Sequence, residues 1–273
     1  MRSPLAYMPE GPECHSSAAK LEKALRGKHL EGFTVHGGRY ATHGHPEEME
    51  AFNRECLRQQ VHVTNVGARG KLIVIFTNTD WCILNTLGLT GTWTSSKTKH
   101  CDVSLGYEGK TLWFKDQLHY GTIKPVSRDA AVKKIKSLGP DVTVCDPAAT
   151  EKWWIDLCKK YQSWNICKLM MDQAKVSGIG NYLKAEILYE AGVAPASIVG
   201  KIPEDKLLDV HKQMMIVPSW HFQAKLGERP RRFLKVYNRK KDPDGNPIEK
   251  CKTGDGRTSH WVRARQVEYL EEE

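Results

Sequence analysis

The chain has 273 residues, 40% of them hydrophobic, with 41 Lys and Arg against 32 Asp and Glu for a net charge of +9. That length suits about two domains with real cores, and no apolar run approaches the roughly 20 residues of a membrane span, which argues against an integral membrane protein. Its eight cysteines include no C-x-x-C pair, so neither a disulfide scaffold nor a structural zinc site is expected, and the thiols read as reduced and mostly buried.

In chain order, Ala18, Leu21 and Leu25 recur at helical spacing and Gly27 supplies a stop, predicting a helix over 15–26. Short β-rich runs follow at 33–36, 61–66, 72–76, 81–84, 102–107 and 111–114, a spacing that reads as a sandwich or barrel. The Pro/Gly/Asp-rich stretch 138–150 breaks this pattern and reads as a linker between a first domain over 9–137 and a second over 151–266. Helices are predicted at 152–161, 165–172, 181–191 and 203–215, the last with Leu207, Val210 and Met214 on one face. Beyond them, 233–239, a turn at Pro243, Asp244 and Gly245, and 258–263 read as a β-hairpin with a long basic connection. Residues 218–266 hold thirteen Lys and Arg against five Asp and Glu, nearly the whole basic excess. Charge runs are usually solvated faces. This one interleaves Trp220, Phe222, Phe233, Tyr237 and Trp261, a mixture suited to phosphate contact and packing. Residues 1–7 lack the apolar stretch of a secretory signal, so an intracellular protein is expected.

Six residues carry the chemistry: Met8, Pro9, Glu10, Gly11, Pro12 and Glu13. Removal of the chain up to Met8 leaves Pro9 with a free secondary amine, a nucleophile able to form an iminium, with Glu10 beside it to move protons. With Met8 attached, that nitrogen is a tertiary amide and has no basicity. Ser177, Gly178, Ile179, Gly180 and Asn181 lie between two predicted helices, where backbone N–H groups at a helix N-terminus bind phosphate; alone, the motif is more often a plain interhelical turn. Ala68, Arg69, Gly70 and Lys71 lead into an apolar strand, where a lysine is ordinarily a solvated guard.

These motifs resemble, in order and across nearly the whole of 8–266, the formamidopyrimidine-DNA glycosylase and endonuclease VIII (Fpg/Nei) family. The resemblance implies an α+β fold: an N-terminal two-layer β-sandwich with flanking helices, then a helical domain with a helix-two-turn-helix and a zincless-finger β-hairpin. It implies a bifunctional DNA glycosylase/AP lyase of base-excision repair, with Pro9, Glu10, Lys71 and Arg257 catalytic and Glu13, Leu89, His100, Tyr120 and Asn181 engaging DNA. Leu89, in Asn85-Thr86-Leu87-Gly88-Leu89-Thr90-Gly91, fills the void left by the flipped nucleotide. Lys99 and His100 resemble a DNA-contacting pair, with Asp102 where the family usually has a second histidine. Asp116, Gln117, Leu118, His119, Tyr120 and Gly121 stand where the family has Asp, two arginines, Phe and Gly; Tyr120 replaces the Phe wedge, and Leu118 the arginine that reads the opposite base. In Gly256-Arg257-Thr258-Ser259-His260-Trp261 the arginine binds the lesion phosphate, while Val262 and Arg265 replace finger cysteines, so no metal or other cofactor is expected. The implied partner is double-stranded DNA with oxidised bases, pyrimidines and formamidopyrimidines favoured, or abasic sites. The implied protein is a monomer, in the nucleus or another DNA-containing compartment if eukaryotic. The alternative is an inactive damaged-DNA or structured-RNA binder that kept the hairpin and lost the free proline.

Overall fold

The computed structural model describes residues 8–226 and 234–271 and divides into two units, one of Glu13–Ser137 with Pro9 and the other of Leu138–Glu273 with Glu10–Pro12. Among the described residues no helix is long and apolar enough to cross a membrane.

The first unit is built on two antiparallel four-stranded sheets. One runs β1 (Leu30–Val35), β6 (Cys101–Tyr107), β7 (Lys110–Lys115), β5 (Thr92–Thr94); the other runs β2 (Val63–Arg69), β3 (Leu72–Thr77), β4 (Trp81–Thr86), β8 (Thr122–Ser127). Alternate residues of both sheets, among them Ile73, Ile75, Ile83 and Ile123 from one and Phe33, Val103, Leu105 and Phe114 from the other, enter one apolar cluster with Leu21 and Leu25 of α1 (Gly11–Leu25). The α+β class and the sandwich thus follow from period-two patterning. Three helices and two strands join those expected: α2 (Gly38–His43), α3 (Glu47–Arg58), α4 (Arg128–Lys136), β5 and β8. The α3 helix has an acidic first turn and buries Met49 and Phe52 at i, i+3 spacing. Its Asn53 amide also guards the edge of β1, accepting from Phe33 N (2.7 Å) and donating to Phe33 O (2.8 Å).

In the second unit, α5 (Pro147–Lys160) starts inside the stretch 138–150, capped by Asp146 with proline at its first position. It is followed by α6 (Ile166–Met171), α7 (Asn181–Ala191) and α8 (Glu204–Leu226). The α7 helix is buried all round from Tyr182 to Tyr189 and ends on Gly192, left-handed at φ 72°. Segment 139–142 is stitched to the turn between α6 and α7 by Gly139 N to Gln173 O, Ser177 N to Pro140 O and Val142 N to Ser177 O.

Two expected boundaries are corrected. The helix read as 203–215 continues to Leu226 through Pro218, so the basic run that starts at 218 begins within α8. The hairpin consists of β9 (Glu249–Lys252) and β10 (Thr258–Trp261), with Cys251 opposite Ser259, so the forward strand is not 233–239. Phe233 lies outside the described residues. The reason is visible at 235–237: the N–H groups of Lys235, Val236 and Tyr237 all donate to the Glu186 carboxylate, at 2.8, 3.0 and 2.8 Å, and Asn238 is left-handed at φ 57°. Donors spent on a carboxylate cannot build a ladder.

Candidate functional site

In the second unit the site is organised on α7. Glu10, buried, occupies the helix N-terminus: Oε2 accepts from Gly180 N (2.8 Å) and Leu183 N (3.1 Å), and Oε1 from Tyr182 N (2.9 Å). Orphan N–H groups and the positive end of the helix dipole stabilise a carboxylate there. The glycines are required by proximity, since a Cβ on Gly180 would lie 2.2 Å from Glu10 Cδ and one on Gly11 would lie 2.3 Å from Thr143 Oγ1. Gly11 N donates to Gly178 O at 2.8 Å, so the residues following Pro9 are anchored through both side chain and backbone. In the Ser177–Asn181 corner, read as a phosphate cradle, Gly180 N donates to Glu10, Gly178 N to Gln173 Oε1 (3.1 Å) and Ser177 N to Pro140 O (2.9 Å). Asn181 instead uses its side chain, Nδ2 donating to Thr258 O (3.0 Å) and so tying α7 to β10.

Three polar anchors on or beside α7 then fix the hairpin. Lys184, with a fully buried side chain, meets Asp255 of the hairpin turn at 2.6 Å. Burial alone raises the Asp255 carboxyl, but the hydrogen bonds from Lys184 and Thr253 outweigh it and hold the group below its usual 3.8. Glu186 is pushed up by burial, against the pull of the three backbone donors described above. Tyr189 hydroxyl donates to Asp242, whose carboxylate also collects Asp244 N and Asn246 N. Val262 and Arg265 are built in by other means, Val262 fully buried and Arg265 stacked 4.7 Å over the Tyr189 ring and paired with Asp244 at 2.6 Å. Among the described residues no three His, Cys, Asp or Glu side chains gather into a metal-binding group.

Arg257 stands exposed in the turn between β9 and β10, where Thr253 N donates to its carbonyl (3.1 Å) and its own N donates to Asp255 Oδ1 (3.2 Å). The buried pair Lys184–Asp255 therefore sets the turn that presents Arg257. Sequence reasoning missed a row of rings alongside: His221 to Tyr182 at 5.5 Å, Tyr182 to Tyr237 at 6.4 Å, Tyr237 to His260 at 5.0 Å. Burial raises the Tyr237 phenol and lowers the His260 imidazole, whose two ring nitrogens are buried without partners.

In the first unit Pro9 and Glu13 are buried at the start of α1. Lys71, half-buried, is at the tip of the two-residue turn joining β2 to β3, with left-handed Gly70 (φ 55°) before it and Arg69 paired to Leu72. A hairpin tip, unlike a strand edge, projects its lysine beyond the sheet. Leu89 and Tyr120 lie on two loops that one buried carboxylate locks together. Asp116 accepts from Thr90 Oγ1, from Leu118 N (3.3 Å) and from Gly121 N (2.6 Å), while a Cβ on Gly88 would lie 2.6 Å from Gly121 N. The lock leaves Leu89 half-buried, Leu118 45% exposed and Tyr120 61% exposed, an apolar protrusion on a rigid base. His100, left-handed at φ 67°, faces His119 at 6.4 Å.

The model of the formamidopyrimidine-DNA glycosylase N-terminal domain matches residues 8–123. The chain is 25% identical over 260 residues to endonuclease 8 of Pectobacterium carotovorum, covering 89% of this chain and 92% of that protein. It is 28% identical over 278 residues to formamidopyrimidine-DNA glycosylase of Listeria innocua, covering 93% and 98%. Solved structures of the Lactococcus lactis formamidopyrimidine-DNA glycosylase have the same fold. The structure bound to DNA with an abasic site superimposes with a TM-score of 0.79 at 21% identity, and that with DNA holding an oxidised pyrimidine with 0.79 at 22%, each covering 94% of this chain and 99% of the other.

Proposed function

We propose that the chain, which is similar to proteins of the Fpg/Nei family, is a base-excision repair DNA glycosylase whose Pro9 also carries an abasic-site lyase reaction. With the chain cut after Met8, the neutral Pro9 nitrogen attacks C1′ of the extruded nucleotide. The N–C1′ bond forms, the bond from C1′ to the base breaks, and the base leaves with a proton. Opening of the sugar ring moves the C1′–O4′ electron pair onto O4′, which takes a proton by way of Glu10, and leaves an iminium at C1′. The iminium acidifies the C2′–H, so loss of that proton expels the 3′-phosphate and a further elimination expels the 5′-phosphate; water then releases Pro9.

The observation that carries this reading is the anchoring of Glu10 and Gly11, because a nucleophile is effective when its neighbours hold it in one place. Lys71 and Arg257, a hairpin tip and a hairpin turn, bind the phosphates on which the eliminations act. Asn181 and His100 contact the backbone, Leu89 and Tyr120 fill and wedge the stack, and Glu13 helps arrange the site. The buried Lys184–Asp255 pair supports a finger of the zincless kind. Similarity to both an endonuclease 8 and a formamidopyrimidine-DNA glycosylase supports oxidised pyrimidines and formamidopyrimidines as substrates. The test compares homogeneous protein beginning at Pro9 with protein beginning at Met1 on a duplex with one abasic site. Strand cleavage by the first alone is expected; binding by both without cleavage makes the chain a damaged-DNA binder.

A further inference from the structure

Three soft donor atoms gather in the second unit where α5 packs on α8. His211 and Met215 are four residues apart on α8 and so project from one face of the helix. Both are buried, at 3% and 5% exposure. The third donor comes from the chain entering α5, where Cys145 Sγ donates to Met215 Sδ at 3.4 Å. Thr150 of α5 lies among them, its Oγ1 3.9 Å from Met215 Sδ and 3.1 Å from His211 Nε2. Thiol, thioether and imidazole are thus joined contact by contact. Elsewhere Cys101 Sγ meets Thr98 N and Cys167 Sγ meets Pro195 O, partners that are not metal ligands of this kind.

Each donor is in, or one proton from, the state that a metal ion needs. Burial holds the His211 imidazole below its ordinary 6.5, against the pull of Glu151, so at neutral pH the ring is uncharged and keeps a lone pair. The single hydroxyl proton of Thr150 has the carbonyls of Asp146 (3.0 Å) and Pro147 (3.1 Å) to go to, so Nε2–H of His211 is the donor toward Oγ1. Transfer of that proton to Nδ1 by way of solvent frees Nε2 with no change of charge. The thioether has no proton to lose, and only the thiol must ionise. Cys145 is half-buried beside Val144, itself 55% exposed, which gives an ion a way in and the proton a way out.

Sulfur donors of these two kinds select soft ions such as Cu(I), whereas magnesium and calcium want oxygen. We infer that Cys145 Sγ, Met215 Sδ and His211 Nε2 form a site for one soft monovalent ion of the Cu(I) class. A bond forms from Cys145 sulfur to the ion as the thiol proton passes to water, Met215 and His211 each supply a lone pair, and the ion stays at +1 throughout. With metal–sulfur bonds of about 2.3 Å, trigonal binding sets the two sulfurs about 4 Å apart. The unbranched Met215 side chain can make that small adjustment.

The test titrates reduced full-length protein with Cu(I) in the absence of oxygen, against bicinchoninate as competing chelator. One ion per chain is expected, with two sulfurs and one nitrogen in its X-ray absorption shell and a thermal midpoint that rises on binding. Met215→Leu keeps the volume and removes a ligand, and should weaken binding by at least the about 10–100-fold that loss of an outer-shell partner costs. Cys145→Ser should abolish both the tight site and the rise in midpoint. Met214→Leu makes the same change at a neighbouring buried methionine and should bind like the parent. No uptake against the chelator overturns the site. Parent-like binding by Met215→Leu or Cys145→Ser, equal weakening by Met214→Leu, or a shell of sulfur alone overturns it as well. DNA cleavage enters none of these measurements, so the site stands or falls apart from the glycosylase reading.

Discussion

The sandwich and the hairpin are both made of short antiparallel strands, yet Ile73, Ile75, Ile83 and Leu105 bury apolar surface at the centre of one, while the pair Lys184 and Asp255 holds the other. Four-stranded sheets stacked face to face have enough inward side chains to make a core. A two-stranded ribbon of four residues a side has not, and alone in water it is marginal at best. Its docking depends on directional contacts from a helix that is itself buried. Apolar burial is tolerant of exchange, whereas a buried ion pair costs desolvation and is unforgiving when one partner goes.

The largest expected effect follows from that asymmetry. Lys184→Met leaves Asp255 buried and uncompensated, a loss of about 3–5 kcal/mol, read as early hydrogen exchange across β9 and β10 and as lost DNA affinity. The double variant Lys184→Met with Asp255→Leu should recover much of it; if the double variant is no better than the single, the pair is not what holds the hairpin. Ile75→Ala should cost about 2–5 kcal/mol by transfer and cavity terms, but across the whole first unit, in a denaturant titration, with hairpin exchange little changed.

Arg257→Ala breaks the comparison from the functional side, since the residue is exposed and its removal should leave both regions folded. It should lose about 1.5–3 kcal/mol of charge-assisted binding and flatten the salt slope by about one unit whatever the lesion. Arg257→Lys should recover part, because a point charge replaces a fork. Affinity and salt slope equal to the parent's would remove Arg257 from the interface.

The smallest effect is in pH. Asp255, held low, contributes stability that is present above its unfolded value near 3.8 and is lost as pH falls through the lower folded value. His260, held low by burial, works at higher pH: the unfolded chain binds the extra proton first, so stability falls as pH drops below the ordinary 6.5. His260→Phe should flatten the dependence of the thermal midpoint between about pH 7.5 and pH 5.5, and an unchanged slope would show that the ring is not titrating against the fold.

Much of this was legible in the sequence where period and composition speak together. The α+β order, the β3 run and α7 follow from hydrophobic patterning. What was hidden is long-range. Nothing in the sequence marks Lys184 and Glu186 as buried, and only tertiary contact places them against Asp255 and 235–237. The strand Glu249-Lys250-Cys251-Lys252 has no apolar alternation to announce it. Glu10 and Gly180 are 170 residues apart, so the meeting of a carboxylate with that helix N-terminus could not be read from either motif.

The proposed chemistry requires a covalent link between the Pro9 nitrogen and DNA. Protein beginning at Pro9 is incubated with a duplex carrying one abasic site, reduced with borohydride and digested, and the adduct is located by peptide mass spectrometry. An adduct is expected on the N-terminal peptide, at Pro9, and none from protein that keeps Met1. An adduct of equal yield on homogeneous protein with Met1 intact, or one mapped to Lys71 or another lysine, would contradict it.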